Sequence, residues 1–420
     1  MPDPFDSVLY RHIYCTLSST ADAQCEGVGL FGGGLLPGGF EWLAFVLTGV
    51  IIVAALINGI LGAVLLMIWG ERRLLGRLQG RTGPNRWGPF GLLTPIADAV
   101  KTMFKEDVVP TVSDRLVFTL APILMLFPAL LVYAVLPIGH GTWLADINVA
   151  LLFIVAIGGA NVLAIVAAAW GSGNRYAMFS AMRAVAMLIS YEIPLVISLV
   201  GVIMLSGSLS LVAIVNAQTI PFFIIQPLGF FVFVVASMAE LNRTPFDVAE
   251  AESEIVAGYM TDYSSMKFGL FFLAEFAATI ATSGVITVLF LGGWHGFDPI
   301  PSQIWFIAKM VGVLALIVWV RASWPRLRID QIMAFAWKAL FELTLINLVV
   351  SGLLMLAWPS PSTTELWYMA GINWLVFIAS IILFGKLLGP KHDPVSAGNV
   401  QRDVTLSDSD APAIPSGGGG

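Results

Sequence analysis

Charge is scarce in this chain, and sulfur is scarcer. Lys, Arg, Asp and Glu make up 11% of the 420 residues against 58% hydrophobic, a balance outside that of soluble domains. Cys15 and Cys25 are the whole cysteine complement, so this chain alone cannot ligate an iron–sulfur cluster through cysteine. The pair fits a disulfide in an oxidising compartment and fits two inert thiols equally well. His12, His140, His295 and His392 are scattered without metal-ligand spacing. No basic tract points to nucleic acid, and the net charge of −6 is mild. The N-terminus lacks the basic start and apolar core of a cleaved signal peptide. No inverted repeat of the kind found in many transporters is visible.

What fills the chain instead is apolar sequence in runs long enough to cross a bilayer. Glu41–Trp69 would reach roughly 40 Å as a helix, more than a perpendicular span needs, which predicts a tilted first helix. Further spans are expected near 115–137, 147–170, 181–206, 218–240, 266–291, 302–323, 335–357 and 367–388, nine in all. The fold class is therefore an all-α polytopic membrane protein. Thr94–Asp107 breaks its apolar stripe with Asp98, Lys101 and Lys105 and reads as an amphipathic interfacial helix. The loops 206–219, 292–303 and 359–365 hold no Lys or Arg, whereas the alternate loops carry Arg72, Arg73, Arg77, Arg81, Arg86, Arg175, Arg243, Arg326 and Arg328. The positive-inside rule then puts the N-terminus outside and the C-terminus in the cytoplasm of a multi-pass bacterial plasma-membrane protein. Residues 1–38 become an extracytoplasmic extension, 39–390 the transmembrane domain, and 391–420, rich in Ser, Asp, Pro and Gly, a disordered cytoplasmic tail.

The densest acid lies in Ala239–Ser264, AELNRTPFDVAEAESEIVAGYMTDYS. Glu240, Asp247, Glu250, Glu252, Glu254 and Asp262 face one cation, Arg243. Thr244 and Pro245 suit a helix N-terminus, and Gly258 suits a terminator. On such a helix Asp247, Glu250 and Glu254 share one face, where like charges couple their titration. Taken without the surrounding motif, such charges more often mark a solvated acidic surface helix. In SAMRAVAMLISYEIPLV, from Ser180, Arg183 sits near a span end, and Glu192 lies nine residues deeper, roughly 13 Å along a helix. A carboxylate at that depth costs a few kcal/mol unless protonated, paired or hydrated, which marks it as functional. A neutral, hydrogen-bonded packing role is the plainer alternative. Glu275, Lys309 and Glu342 are further polar groups within spans, able to pair with one another, snorkel or join a proton path.

Four blocks in order carry a resemblance: ERRLLGRLQGRTGPNRWGPFG with ADAVK, the Arg183–Glu192 span, the acidic loop, and VRASWPRLRIDQIMAFAWK from Val320. Together they resemble the membrane subunit of respiratory complex I that abuts the quinone site, the H subunit in bacteria and its mitochondrial counterpart. The likeness covers most of Glu41–Leu356. It implies a component of proton-translocating NADH-quinone oxidoreductase in which 39–390 is the quinone-chamber domain. On that resemblance Glu71, Arg72, Arg81, Asp98, Arg183, Arg243, Phe246, Arg321 and Arg326 line the chamber. Glu192, Glu240, Asp247, Glu250, Glu252, Glu254, Asp262 and Glu275 relay protons toward pumping subunits. It also implies quinone, menaquinone or ubiquinone, as substrate, with FMN and iron–sulfur clusters only in partner subunits. Those partners are cluster-bearing soluble subunits at the cytoplasmic face and small and antiporter-like membrane subunits, besides lipid. Met187, Ile329 and Asp262 depart from the glutamine, tyrosine and glutamate that the family pattern leads one to expect. The alternatives are the related membrane subunit of an energy-converting hydrogenase, which lacks quinone, and a stand-alone secondary transporter.

Overall fold

The computed structural model describes residues 8–17, 41–248, 257–297, 299–359 and 361–388. Apart from one isolated bridge between Gly139 and Thr142, the regular structure of the described residues is helical. In chain order the helices are α1 (Val8–Leu17), α2 (Glu41–Leu78), α3 (Thr94–Phe104), α4 (Arg115–Val135), α5 (Ala150–Ser172) and α6 (Arg175–Ser206). They are followed by α7 (Leu211–Ala217), α8 (Phe222–Ile225), α9 (Pro227–Glu240), α10 (Ser265–Phe290), α11 (Ser302–Ser323), α12 (Ile329–Ala357) and α13 (Thr363–Leu388). Eight of these, among the described residues, are long and apolar enough to cross a membrane.

The ninth expected span, 218–240, is not one helix. Pro227 disfavours helical geometry at the residue before it, and Gln226 sits at φ −125°, ψ 69°. Its amide leaves the helix line to bond Gly201 O (3.2 Å) and Ser351 Oγ (2.8 Å). The helix beyond this break, α9, has 14 residues, about 21 Å of helix against a hydrocarbon layer of about 30 Å.

Other elements differ in extent, among them α6, which starts at Arg175 and not at 181. α2 runs through the charged segment to Leu78, 38 residues in all, because Leu, Arg and Glu there are good helix formers and nothing breaks the helix before Gly80 at φ 66°. Glu71, Arg72, Arg73 and Arg77 thus stand on a helix and not in a loop. α12 begins at Ile329, ahead of the expected 335, and contains a π-helical turn at Ala336–Leu340. There Trp337 Nε1 donates to Ser190 Oγ (3.3 Å) and Tyr191 Oη to Ile332 O (2.9 Å), tying α12 to α6. Finally, no helix starts at Pro245. The Pro245 carbonyl accepts from Leu327 N (3.1 Å), and 241–248 form turns. Residues 249–256, with Glu250, Glu252 and Glu254, lie outside the described residues, as does the tail from 389.

The extension is described only over α1, whose Tyr10 packs edge-on against Phe45 of α2. Cys15 is held in a disulfide; Cys25 is outside the described residues. The core sits where α4, α5, α6 and α10 meet, around Phe118, Ile165, Ala184, Tyr259, Tyr263 and Phe271. Tyr263 stacks on Phe118 at 4.1 Å and donates to Ala168 O at 3.2 Å. Burial, and after it the charge of Asp262, raise the pKa of this phenol well above its ordinary value, so it stays a donor. Residues up to Phe377 form one compact unit; Ile378–Leu388, the last turns of α13, belong to a second.

Candidate functional site

Two groups of charged side chains meet in the bundle. The first is organised by Glu71, late in α2. Its carboxylate accepts from Arg243 Nη1 at 3.2 and 3.5 Å and from Arg321 Nη1 in a short contact. The side chains of Glu71 and Arg243 are 5% and 8% exposed, and that of Arg321 is 31%. Arg243 lies over the ring of Phe276, centroid 4.6 Å away, which satisfies part of its charge in a dry setting. Its Nε and Nη2 are buried without a hydrogen-bond partner. Arg321 occupies the last turn of α11, where the helix dipole favours a cation. One carboxylate thus holds two guanidiniums, leaving an excess positive charge and two unused donors.

Beside it, Arg72 pairs with Asp98 of α3 at 2.5 Å, and Lys101 joins Asp98 at 3.5 Å. Arg73 lies over the rings of Trp69 and Phe90 and donates to Phe90 O (3.1 Å). The loop between α2 and α3 folds so closely onto itself that a Cβ at Gly91, φ 79°, would stand 2.3 Å from Pro84 O. Only glycine satisfies both the conformation and the approach.

The second group surrounds a cavity of about 100 Å³, which has room for several waters. Glu192 of α6, Glu240 at the end of α9 and Glu275 of α10 line it, with Asn161 of α5 and Asn242. Asn161 Oδ1 and Asn242 Oδ1 are buried acceptors without a hydrogen-bond partner, the condition in which ordered water is most favourable. Two glycines of α5 make the space: a Cβ at Gly158 would stand 2.8 Å from Glu240 Oε1, and one at Gly159 3.4 Å from Glu192 Oε1.

The two groups are contiguous along the backbone. Asn242 and Glu275 line the cavity, and the residues after them, Arg243 and Phe276, belong to the Glu71 group.

Comparison with known proteins bears directly on this arrangement. A family model described as NADH dehydrogenase matches residues 50–352. The H subunit of NADH-quinone oxidoreductase from Dehalococcoides mccartyi is 52% identical over 324 residues, covering 77% of this chain and 91% of the relative. The protein of the same name from Geobacillus kaustophilus is 46% identical over 310 residues, 73% of this chain and 93% of the relative. The chain belongs to the H-subunit family of NADH-quinone oxidoreductase.

Within this H-subunit fold the sequence-derived residues divide into those brought together and those left apart. Glu71, Arg243 and Arg321 form one group, Arg72 and Asp98 a neighbouring pair, and Glu192, Glu240 and Glu275 a third set. Phe246 is buried and meets Tyr191, the neighbour of Glu192, edge-on at 5.3 Å. Arg81 is exposed and donates to Gln79 Oε1 (2.7 Å). Arg183 and Arg326 are half-buried and do not pair with Glu71. Asp247 and Asp262 are half-buried and do not line the cavity. Lys309 pairs with neither Glu275 nor Glu342; three main-chain carbonyls hold it. Met187 is fully buried on α6.

Sequence reasoning missed Asn161, Asn242, Gly158 and Gly159. Asn161 alone had a signal, an amide in an otherwise apolar span. Gly158→Ala is the direct test of their role in this H-subunit chain. The clash falls on the flexible end of Glu240, so the fold should survive with a loss of at most about 1–3 kcal/mol. Coupled quinone reduction should fall further than that loss explains. Thermal unfolding and turnover of the same preparation check it, and unchanged turnover would show that the placement of Glu240 does not matter.

Proposed function

We propose that this chain forms the membrane half of the quinone-reducing site of an NADH-quinone oxidoreductase and hands the charge change of that reaction to its carboxylate cavity. The observation that carries the reading is the shared backbone of the Glu71 group and the cavity at Asn242–Arg243 and Glu275–Phe276. Reduction of a quinone to a quinol takes up two electrons and two protons, and its ring oxygens bear negative charge on the way. The excess positive charge and free donors at Arg243 suit that anion. Glu71 keeps the two guanidiniums in place when no anion is present. When one arrives, the field at Glu240, Glu275 and Glu192 changes, and coupled acids in a low dielectric shift their protons for small changes in charge.

The electrons come from iron–sulfur clusters in partner subunits, which pass them on from FMN. The quinone, menaquinone or ubiquinone, enters from lipid past α3 and the glycine-rich loop before it. Arg81, Arg183, Arg326 and Phe246 complete the chamber wall, and Asp247, Glu250, Glu252, Glu254 and Asp262 extend the relay on the cytoplasmic side. The N-terminus is then outside and the C-terminus inside a bacterial plasma membrane, with soluble subunits covering the arginine-rich loops. Identities near one half along nine-tenths of the H-subunit relatives favour this reading over a hydrogenase component or a lone transporter.

Arg72→Ala tests it in the assembled complex. Loss of the Asp98 pair should lower quinone reduction several-fold while NADH oxidation by a water-soluble artificial acceptor stays normal. Arg81→Ala, at the rim, should do the same more weakly. Parallel loss of both activities would mean failed assembly and no chamber role.

A further inference from the structure

At the end of the bundle opposite the arginine-rich loops, the chain builds a cage for one cation. α10 ends at Phe290, and its last carbonyls would be orphaned. Thr287 O accepts from Leu291 N (3.2 Å) and Gly293 N (2.9 Å), while Gln218 Nε2 donates to Val288 O (2.8 Å) and Leu289 O (3.1 Å). Lys309, on α11, gathers carbonyls just beyond the helix end: its Nζ donates to Leu291 O (2.7 Å), Gly293 O (3.1 Å) and His295 O (2.7 Å). All three donors of the ammonium are spent on main chain, which fixes a positive charge in place. Gln218 Oε1 is buried, has no hydrogen-bond partner and turns toward the same spot. A Cβ on Gly292 would stand 3.8 Å from Lys309 Nζ and 3.9 Å from Gln218 Oε1. Burial first, and the Lys309 ammonium second, lower the pKa of His295 below its ordinary value, so the imidazole is neutral there at pH 7.

A row of polar residues on α10 runs from the carboxylate cavity toward this cage. Glu275, Thr282 and Val285 all border the cavity, so open space follows α10 for roughly 15 Å. Alongside it, Thr279, Ser283 and Thr287 are buried hydroxyls, each donating to the carbonyl four residues earlier at 2.7, 2.8 and 2.8 Å. Such back-bonding satisfies each hydroxyl locally. The succession nevertheless leads from Glu275 to Thr287 and, one turn on, to Leu291 O, where Lys309 sits.

We propose that Lys309 is a fixed positive plug that closes this line, so that protons entering the carboxylate cavity leave sideways to partner subunits and not along α10. A proton approaching the cage meets a unit charge held in place by three main-chain carbonyls. Main-chain carbonyls at a helix end attract cations, and the tethered ammonium occupies them before any hydrated proton does. The purpose of the plug rests on the relay reading above, but the barrier is a property of the resting protein.

The test uses the assembled complex in sealed vesicles, with neither NADH nor quinone added, and follows the decay of an imposed pH difference with an entrapped dye. Lys309→Gln should leak protons at least about tenfold faster, because a unit charge several ångströms away at an effective dielectric of about 20 costs more than RT ln 10. Lys309→Arg should stay tight, and adding Thr287→Val to Lys309→Gln should restore tightness by breaking the line beside the cage. Tight vesicles with assembled Lys309→Gln overturn the proposal, as does a leak that Thr287→Val leaves unchanged. If Lys309→Gln fails to assemble, methylammonium added during purification should fill the carbonyl cage and restore assembly, with the leak appearing once the amine is washed out. No rescue, or vesicles that remain tight after washing, also count against the plug. Since the leak is read without turnover, normal pumping in Glu192→Gln would reject the relay and leave this result standing.

Discussion

In Glu71→Gln the assembled complex is expected to lose quinone reduction and about 3–5 kcal/mol of stability, the usual cost of leaving a buried charge without its partner. The loss is this large because one carboxylate serves two guanidiniums, and Arg243 is only 8% exposed with two N–H groups already unpartnered. Arg321→Gln should be much milder, about 1 kcal/mol or less in stability, since Arg321 reaches water and its removal leaves the Glu71–Arg243 pair intact. Thermal unfolding of the purified complex ranks the two, and NADH oxidation by a water-soluble acceptor reports on whatever assembles. Equal destabilisation by both substitutions would mean that the group is not built around Glu71.

The second large effect is expected on coupling. Glu192→Gln and Glu240→Gln each remove an acid from the cavity while keeping its size and one hydrogen-bonding carbonyl, so the fold should survive with a loss of at most about 1–3 kcal/mol. Proton pumping should nevertheless fall together with quinone reductase turnover, by roughly tenfold or more for a step that depends on a placed acid. Because the two carboxylates line one cavity, removing one is expected to alter the proton affinity of the other. The double mutant should therefore be less impaired than the product of the single effects. Paired turnover and pumping assays in membrane vesicles decide it, with assembly checked by subunit content. Near-normal pumping in both single mutants would reject the relay.

Much of this was legible in the residues. Apolar runs locate the eight long helices, because a bilayer span needs a fixed length of apolar chain whatever its neighbours do, although the first runs on to Leu78 and two others start earlier, at Arg175 and Ile329. The motif blocks around Glu71, Glu192, Arg243 and Arg321 name the charged residues of both groups except Glu275. Other features were present in the sequence and read too lightly. Pro227 already argued against a single helix over 218–240. The spacing of Glu275, Thr279, Ser283 and Thr287 by fours is visible in the chain, but only the structure shows that Glu275 and Thr282 line the cavity.

What the sequence determined by itself is the class of protein, the order of its spans and which side chains are too costly to bury without purpose. These follow from local composition, since each residue carries its own free energy of transfer into an apolar medium. Tertiary structure alone decided who compensates whom. Glu71 finds Arg243 at a separation of 172 residues and Arg321 at 250, and Lys309 finds carbonyls at the end of the helix before its own. Gly158 matters only because Glu240 arrives against it from another helix. Charge pairing, cavities and close approaches depend on distances between elements that are far apart in the chain, and a pattern read along the residues in order carries no such distances.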